Sequence, residues 1–324
     1  MIILIGDKQD PHLIEIKEKI TFLNWNCKIF STSKIDLLST IYHFNGDNGY
    51  LIQNDDKIEF DQISSAFCLS PLYRVDYNDF DQENRFWHYS WRDSLFGFLY
   101  ILSKNNVLLN GPIEQAIGNQ NKIKLFPIAQ SVGLNIPSSI ITNSKHEIEK
   151  FFRENTEVVI KTLHQMNLKL HNEPTMLLVQ KVFSFDFLDY NSECESPLFL
   201  QKYIDKIFDF RVVVIGNEML VCKIDSSKST AGKVDWRAYD LPQTPHEVME
   251  LSEQIKRKIL YLMSALCLDY ACLDFCIDTS QVEWLLDVNP FGRFLWMEYG
   301  TGMDVTGMLA RFLITRSNER LLST

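Results

Sequence analysis

No apolar run in this chain approaches the roughly 20 residues that cross a bilayer, which excludes a helical membrane span. The opening Met1-Ile2-Ile3-Leu4-Ile5-Gly6-Asp7 is too short for the apolar segment of a secretory signal and follows no charged stretch, so it reads as a first strand. Cys-x-x-Cys pairs are missing. The seven cysteines (27, 68, 194, 222, 267, 272 and 276) are odd in number and lie mostly in apolar runs, as expected of a reduced, cytoplasmic protein without a disulfide framework. Cys267, Cys272 and Cys276 have no partner pair at zinc-site spacing and read instead as small buried hydrophobes. Positive charge is scarce: 32 Lys and Arg stand against 42 Asp and Glu, a formal charge of -10. That balance argues against nucleic acid or an anionic membrane as the main partner, although a basic local site is compatible with it. Internal repeats, low-complexity tracts, long linkers and a convincing Ser/His/Asp or Cys/His signature are all absent.

What is present is an ordinary globular composition, 46% hydrophobic and 23% charged over 324 residues, enough for two or three structural units. Residues 2–5 and 11–23 read as a strand and a helix, with Leu13, Ile16, Ile20 and Leu23 at helical spacing. A polar hairpin near 45–57 and a strand at 63–69 follow. Ten aromatic residues crowd 73–100, helical from Asp81 onward, and fit a core or subunit interface better than a ligand box. Asn110-Gly111-Pro112 marks the end of a first domain, and a helix is expected over 117–132, stopped by Gly133. A strand at 139–142 leads to a helix capped by Ser144 with Glu147 three residues on. Strands are expected at 157–162, 176–185, 198–204, 210–225, 270–277 and 282–288, and a helix over 245–265.

Asp287-Val288-Asn289-Pro290 is the most informative segment. On a strand, Asp287 and Asn289 share one face and Leu286 and Val288 the other, while Asp274 on the preceding strand can complete a set of hard oxygen donors suited to magnesium and phosphate. Strand-terminating acids are the plainer alternative. Lys161 is the one charge in Val158-Val159-Ile160-Lys161-Thr162-Leu163; buried, it needs an anionic partner such as phosphate, and at a strand end it can instead reach solvent. Lys122 opens a helix. Backbone groups around Gln201-Lys202-Tyr203-Ile204 can read a base, Asp209 can take ribose hydroxyls, and Arg211, two residues further along the same face, can clasp phosphate or carboxylate. Asp235-Trp236-Arg237 adds a second arginine.

This order of residues, from Lys122 to Asp287-x-Asn289-Pro290-x-Gly292, resembles the ATP-grasp fold. More narrowly it resembles the ATP-grasp ligases that mature ribosomal peptides, the graspetide group that includes microviridin-type and grasp-with-spasm maturases. The resemblance implies an α/β (α+β) protein with an N-terminal pre-ATP-grasp domain (1–112), a central subdomain (113–197) and a C-terminal subdomain carrying the metal site (198–324), with ATP held between the last two. It further implies that Lys122 and Lys161 contact phosphates, that Gln201, Lys202, Tyr203 and Ile204 hold adenine, and that Asp209 lies near ribose. Arg211 and Arg237, assisted by Lys223, would neutralise the transferring phosphate, and Asp274, Asp287 and Asn289 would hold Mg2+. The implied activity activates Glu or Asp side chains of a precursor peptide as acyl-phosphates and joins them to Ser, Thr or Lys of the same peptide. A leader segment is expected along residues 165–200, and a homodimer contact on the helix over 81–100. Two departures stand out: most relatives carry Glu where this chain has Asp287, and Thr162 to Asn167 lacks the glycines that many ATP-grasp enzymes place over the phosphates. A carboxylate-amine ligase of the glutathione synthetase or glutamate-adding kind would use the same nucleotide residues, and a degenerate peptide-binding module is the reading without catalysis.

Overall fold

The computed structural model describes residues 1–46, 48–71, 82–163, 167–170, 173–176, 179–182, 193–225 and 245–323. The N-terminal unit comprises β1 (Ile2–Gly6), α1 (Pro11–Phe22), β2 (Cys27–Ser31), α2 (Lys34–Leu37), β3 (Ile41–Phe44), β4 (Gly49–Gln53), β5 (Asp56–Glu59) and β6 (Ser65–Cys68). Its parallel sheet has the order β2-β1-β6, and β3-β4-β5 form an antiparallel meander. The unbroken apolar run of β1 follows from burial on both faces. Ile2 and Leu4 enter one core with α1, and Ile3 and Ile5 enter another on the opposite side. That second core is closed by α3 (Gln82–Lys104), whose Leu95, Phe98, Leu99 and Leu102 are buried. The aromatic stretch is therefore divided. Phe98 packs on Phe30 and Phe60, whereas Phe86, Tyr89 and Tyr100 are exposed; residues 73–81 lie outside the described residues.

The helix expected over 117–132 is two helices, α4 (Ile113–Gly118) and α5 (Lys122–Ser131). The break has one local cause and one distant one. Asn121 caps α5 by accepting the Ile123 amide, and buried Asn119 donates across the fold to the Leu266 carbonyl at 2.8 Å. A four-stranded antiparallel sheet follows, ordered β11-β8-β12-β7 from β7 (Ser139–Ser144), β8 (Val158–Lys161), β11 (Gln180–Val182) and β12 (Glu193–Lys202). Between β8 and β11 lie the paired strands β9 (Asn167–Leu170) and β10 (Glu173–Met176). Helix α6 (Lys145–Glu154), capped by Ser144 on the Glu147 amide, covers the sheet through Ile148 and Phe151.

The third unit is a five-stranded antiparallel sheet, β15-β14-β13-β16-β17. Its members are β13 (Lys206–Ile215), β14 (Glu218–Ile224), β15 (His246–Val248), β16 (Tyr270–Asp278) and β17 (Glu283–Asn289), with helices α7 (Glu253–Leu266), α8 (Leu295–Thr301) and α9 (Val305–Ser323). The strand expected over 210–225 is thus a hairpin, turned at Gly216 with φ +59° where a Cβ would strike the Phe312 ring. Residues 246–248, expected in a helix, pair with β14, and α7 starts only after its Ser252 cap. α4 and α5 pack through Ala116, Leu125 and Ala129 into the core of the third unit, and Ile113 of α4 enters that of the first. α9 returns to the first unit against α1, β1 and β6. Among the described residues no helix is long and apolar enough to cross a membrane.

Candidate active site

The register of β13, β16 and β17 sets Arg211 opposite Asp274 and Asp274 opposite Asp287, a row of charge across three strands. Two pairs further along, and so on the same face, Cys272 lies opposite Asn289. Paired residues share a face and successive residues alternate, so Asp209, Arg211 and Asp274 point one way. Phe210, Val212, Leu273 and Phe275 point the other way, into the core beneath α5 and α7. A β-bulge shifts the pairing between Asp274 and Phe275, whose partners are Asp287 and Leu285. As a result Leu285, not the expected Leu286, enters the core with Val288.

Arg211 is only 7% exposed. Its Nε and Nη2 donate to the two oxygens of Asp274 at 2.7 and 2.8 Å, and Nη1 donates to the Arg293 carbonyl at 2.8 Å. Burial works against the guanidinium charge, but the facing Asp274 carboxylate holds its pKa above the ordinary arginine value. The guanidinium also lies 5.6 Å from the Trp296 ring, in a helix for which the sequence carried no expectation. Asp287 is ion-paired with Lys122, which reaches it from the first turn of α5. Burial raises the Asp287 pKa, and Lys122, Lys161 and the Val288 amide outweigh it, keeping the carboxyl below its ordinary value.

Lys161 ends β8 and donates to the Gln201 side chain at 2.5 Å; Gln201 donates onward to Ser139 at 2.9 Å. These residues belong to the central sheet, yet Lys161 also acts electrostatically on Asp287 and Cys276 of the third unit. The two sheets therefore meet around Lys161. Between β12 and β13 only Tyr203, Ile204 and Asp205 connect them, and the amides of Lys202 and Tyr203 are bound to the carbonyls of Ser138 and Glu157. Asp209, 1% exposed, pairs with Lys206 at 2.6 Å.

Lys223 is not brought into this group. It pairs in register with Phe210, on the face away from Arg211, and contacts Glu247 at 3.1 Å and the Phe208 ring. The alternation that placed Asp209 with Arg211 excludes Lys223. Arg237 lies outside the described residues. The loop after β17, which holds Pro290 and Gly292, is braced on several sides. Asn110 donates to Pro290 O at 2.7 Å and Tyr270 OH to Gly292 O at 2.5 Å, and a Cβ on Gly292 would lie 2.3 Å from that of Cys272.

Among the described residues no three His, Cys, Asp or Glu side chains converge as a metal group. Burial pushes the Cys272 thiol up to about 11 and Cys276 up to about 12, as befits inert core thiols rather than zinc ligands. The fit to magnesium is of another kind. Asp274, Asp287 and Asn289 supply hard oxygens from adjacent strands; each Asp274 oxygen keeps a lone pair beside its Arg211 bond, whereas Oδ1 of Asp287 already accepts both Lys122 and the Val288 amide. A few protein oxygens completed by phosphate and water is the usual magnesium arrangement at nucleotide sites.

No protein-family model and no curated protein matches the chain by sequence. Solved structures match its fold along nearly its whole length. The RiPP-associated ATP-grasp ligase of Chryseobacterium gregarium, in complex with ADP and a leader and core peptide, aligns with a TM-score of 0.80 at 21% identity, covering 97% of this chain and 96% of that one. The macrocyclase MdnC of Microcystis aeruginosa MRC, bound with precursor peptide MdnA, aligns at 0.79 with 19% identity and 97% and 99% coverage. D-alanine–D-alanine ligase from Bacillus anthracis, complexed with ATP, gives 0.55 at 14% identity over 100% and 99% of the two chains. The chain has the ATP-grasp fold. Within that fold, the peptide-associated ligases match it with higher TM-scores than the D-alanine ligase does.

Proposed function

We propose that the protein is an ATP-dependent carboxylate ligase that cross-links side chains of a ribosomal precursor peptide, with Mg2+ as its metal. The observation that carries this reading is the row Arg211–Asp274–Asp287, faced by Lys122 and Lys161 at the meeting of two sheets. Hydrogen-bonded cations around paired carboxylates suit a polyphosphate and its metal, and the whole-length likeness to peptide-bound ligases supports a peptide substrate.

In this reading Lys122 and Lys161 leave their present partners, Asp287 and Gln201, for the phosphates of ATP. Asp274, Asp287 and Asn289 hold magnesium, which when bound neutralises phosphate charge. With the Lys202 and Tyr203 amides already committed, the base-reading amide of the link is that of Ile204, and Asp209 lies toward the ribose. The γ-phosphoryl group moves to a Glu or Asp carboxylate of the peptide, releasing ADP and leaving an acyl-phosphate. A Ser or Thr hydroxyl or a Lys amine of the same peptide then attacks the acyl carbon, phosphate leaves with the bonding pair, and the nucleophile's proton passes to solvent or phosphate. Arg211, its plane fixed by Asp274, stabilises the oxyanion of that addition. Arg237 is assigned to the same task from sequence alone, and Lys223 has no part.

The leader is assigned to the stretch 165–200, which includes the β9–β10 pair. The exposed Phe86, Tyr89 and Tyr100 of α3 are assigned to a homodimer contact, and a monomer in sedimentation would remove that assignment. The test of the function is mass spectrometry of a candidate precursor, a short peptide encoded by any reading frame found beside the gene, incubated with protein, ATP and magnesium. Loss of one water per link, absent with Asp274→Ala, is expected. An unchanged peptide with ATP turnover on free amino acids would reassign the chain to small-molecule ligation, and absence of ATP binding would leave only a peptide-binding module.

A further inference from the structure

A buried imidazole from the first helix stands behind Arg211. His12, in the first turn of α1, accepts the amides of Phe294 at 3.0 Å and Leu295 at 3.1 Å on its Nε2. Two donors facing Nε2 leave no room for a proton there, so the ring is neutral with its hydrogen on Nδ1. Nδ1 donates to Oδ1 of Asp10 at 2.9 Å. Asp10 also accepts the His12 amide at 3.1 Å, and its other oxygen binds the Arg293 guanidinium at 2.6 Å.

The peptide unit joining Arg293 to Phe294 is thereby held at both ends. Its N–H goes to His12, and its C=O accepts Nη1 of Arg211. A continuous hydrogen-bonded path runs from Asp10 through His12, the 293–294 peptide and Arg211 to Asp274, each bond polarising the next. Capping α8 does not by itself require this arrangement. A Ser or Asp at position 294 would cap the helix locally, yet Phe294 caps nothing and the acceptor comes from 282 residues away in the chain.

We propose that His12 is a positioning residue for Arg211. It fixes the 293–294 peptide so that the carbonyl at its far side sets the rotation of the guanidinium, making the N-terminal unit part of the catalytic apparatus. The inference rests on the role of Arg211 in the function proposed above.

The experiment compares His12→Leu, which removes the acceptor, with His12→Gln, whose side-chain oxygen can replace it. In folded His12→Leu, kcat for peptide cross-linking is expected to fall about 10- to 100-fold, the range seen when a supporting hydrogen bond behind an active group is lost, with KM for ATP within about 2-fold. His12→Gln is expected to recover most of the loss. The second readout does not depend on turnover: hydrogen exchange of the Arg211 Nε–H, by NMR of the full-length protein, should accelerate in His12→Leu and stay near wild type in His12→Gln. Wild-type kcat in His12→Leu, or lost kcat with unchanged Arg211 exchange, overturns the proposal. If His12→Leu does not fold, His12→Gln decides alone, since accelerated Arg211 exchange despite its retained acceptor also overturns it. A wild-type protein inactive on the peptide but showing the expected exchange differences would instead fault the proposed function and leave the positioning intact.

Discussion

In the proposed function Asp274 serves two neighbours, a magnesium ion and Arg211, and only the first is legible in the sequence. Read as a metal ligand, its replacement by Ala should abolish turnover and leave the fold intact. The structure changes the second half of that expectation, because the same carboxylate neutralises the buried Arg211. Breaking a buried pair by removing one partner typically costs about 3–5 kcal/mol, so Asp274→Ala should lower the urea midpoint as well as activity. Asn289→Ala removes one bond to the Phe291 amide at 2.9 Å and should cost only about 1 kcal/mol while also abolishing turnover. Parallel denaturation curves distinguish the two, and equal stability losses would contradict this division. Lys161→Ala should weaken ATP binding about 10- to 100-fold in calorimetry, the worth of one charge-assisted bond. Unchanged affinity would remove Lys161 from the phosphate site.

Elements with a strong intrinsic period were readable, and those made by pairing were not. β16 and β17 show as apolar strands, and the Ser144 cap arises from local side-chain chemistry. Ser144→Ala should therefore cost about 1 kcal/mol, checked by the thermal midpoint. β15 exists because β14 offers it an edge, and the α4–α5 break depends in part on the Leu266 carbonyl; neither cause lies in the local sequence. The family resemblance implies that Lys223 assists Arg211, whereas alternation along β14 sends it to the opposite face. The loop after β17 yields the sharpest test at this scale. Gly292→Ala must push Cys272 or the loop aside, with an overpacking cost of about 1–3 kcal/mol, and should impair the site built on that loop. Wild-type stability in this variant would mean that the loop gives way easily.

Across the molecule, electrostatics set the response to acid. Asp10, Asp36, Asp287 and Asp304 are each pushed up by burial, and each is brought below the ordinary 3.8 by its partners. Their unfolded forms bind protons more readily than their folded forms. Their contribution to stability is therefore complete above about pH 5 and is lost as pH falls through the ordinary carboxylate range toward the lowered folded values. The urea midpoint should be flat from about pH 8 to 5 and drop below about pH 4; a flat profile through pH 3 would show that these pairs add nothing to stability.

The sequence by itself determined the strands that carry Asp274, Asp287 and Asn289, the helix opened by Lys122 and the strand ended by Lys161, because periodicity and capping act over a few residues, and the order of those residues carried the resemblance that implied the fold class. Tertiary structure alone decided that Asp274 neutralises Arg211, that Lys122 meets Asp287, that α4 and α5 join the third unit's core, and that His12 reaches the start of α8. Those contacts join groups 63 to 282 residues apart, where no local preference operates and only strand register and the closing of shared cores choose the partner.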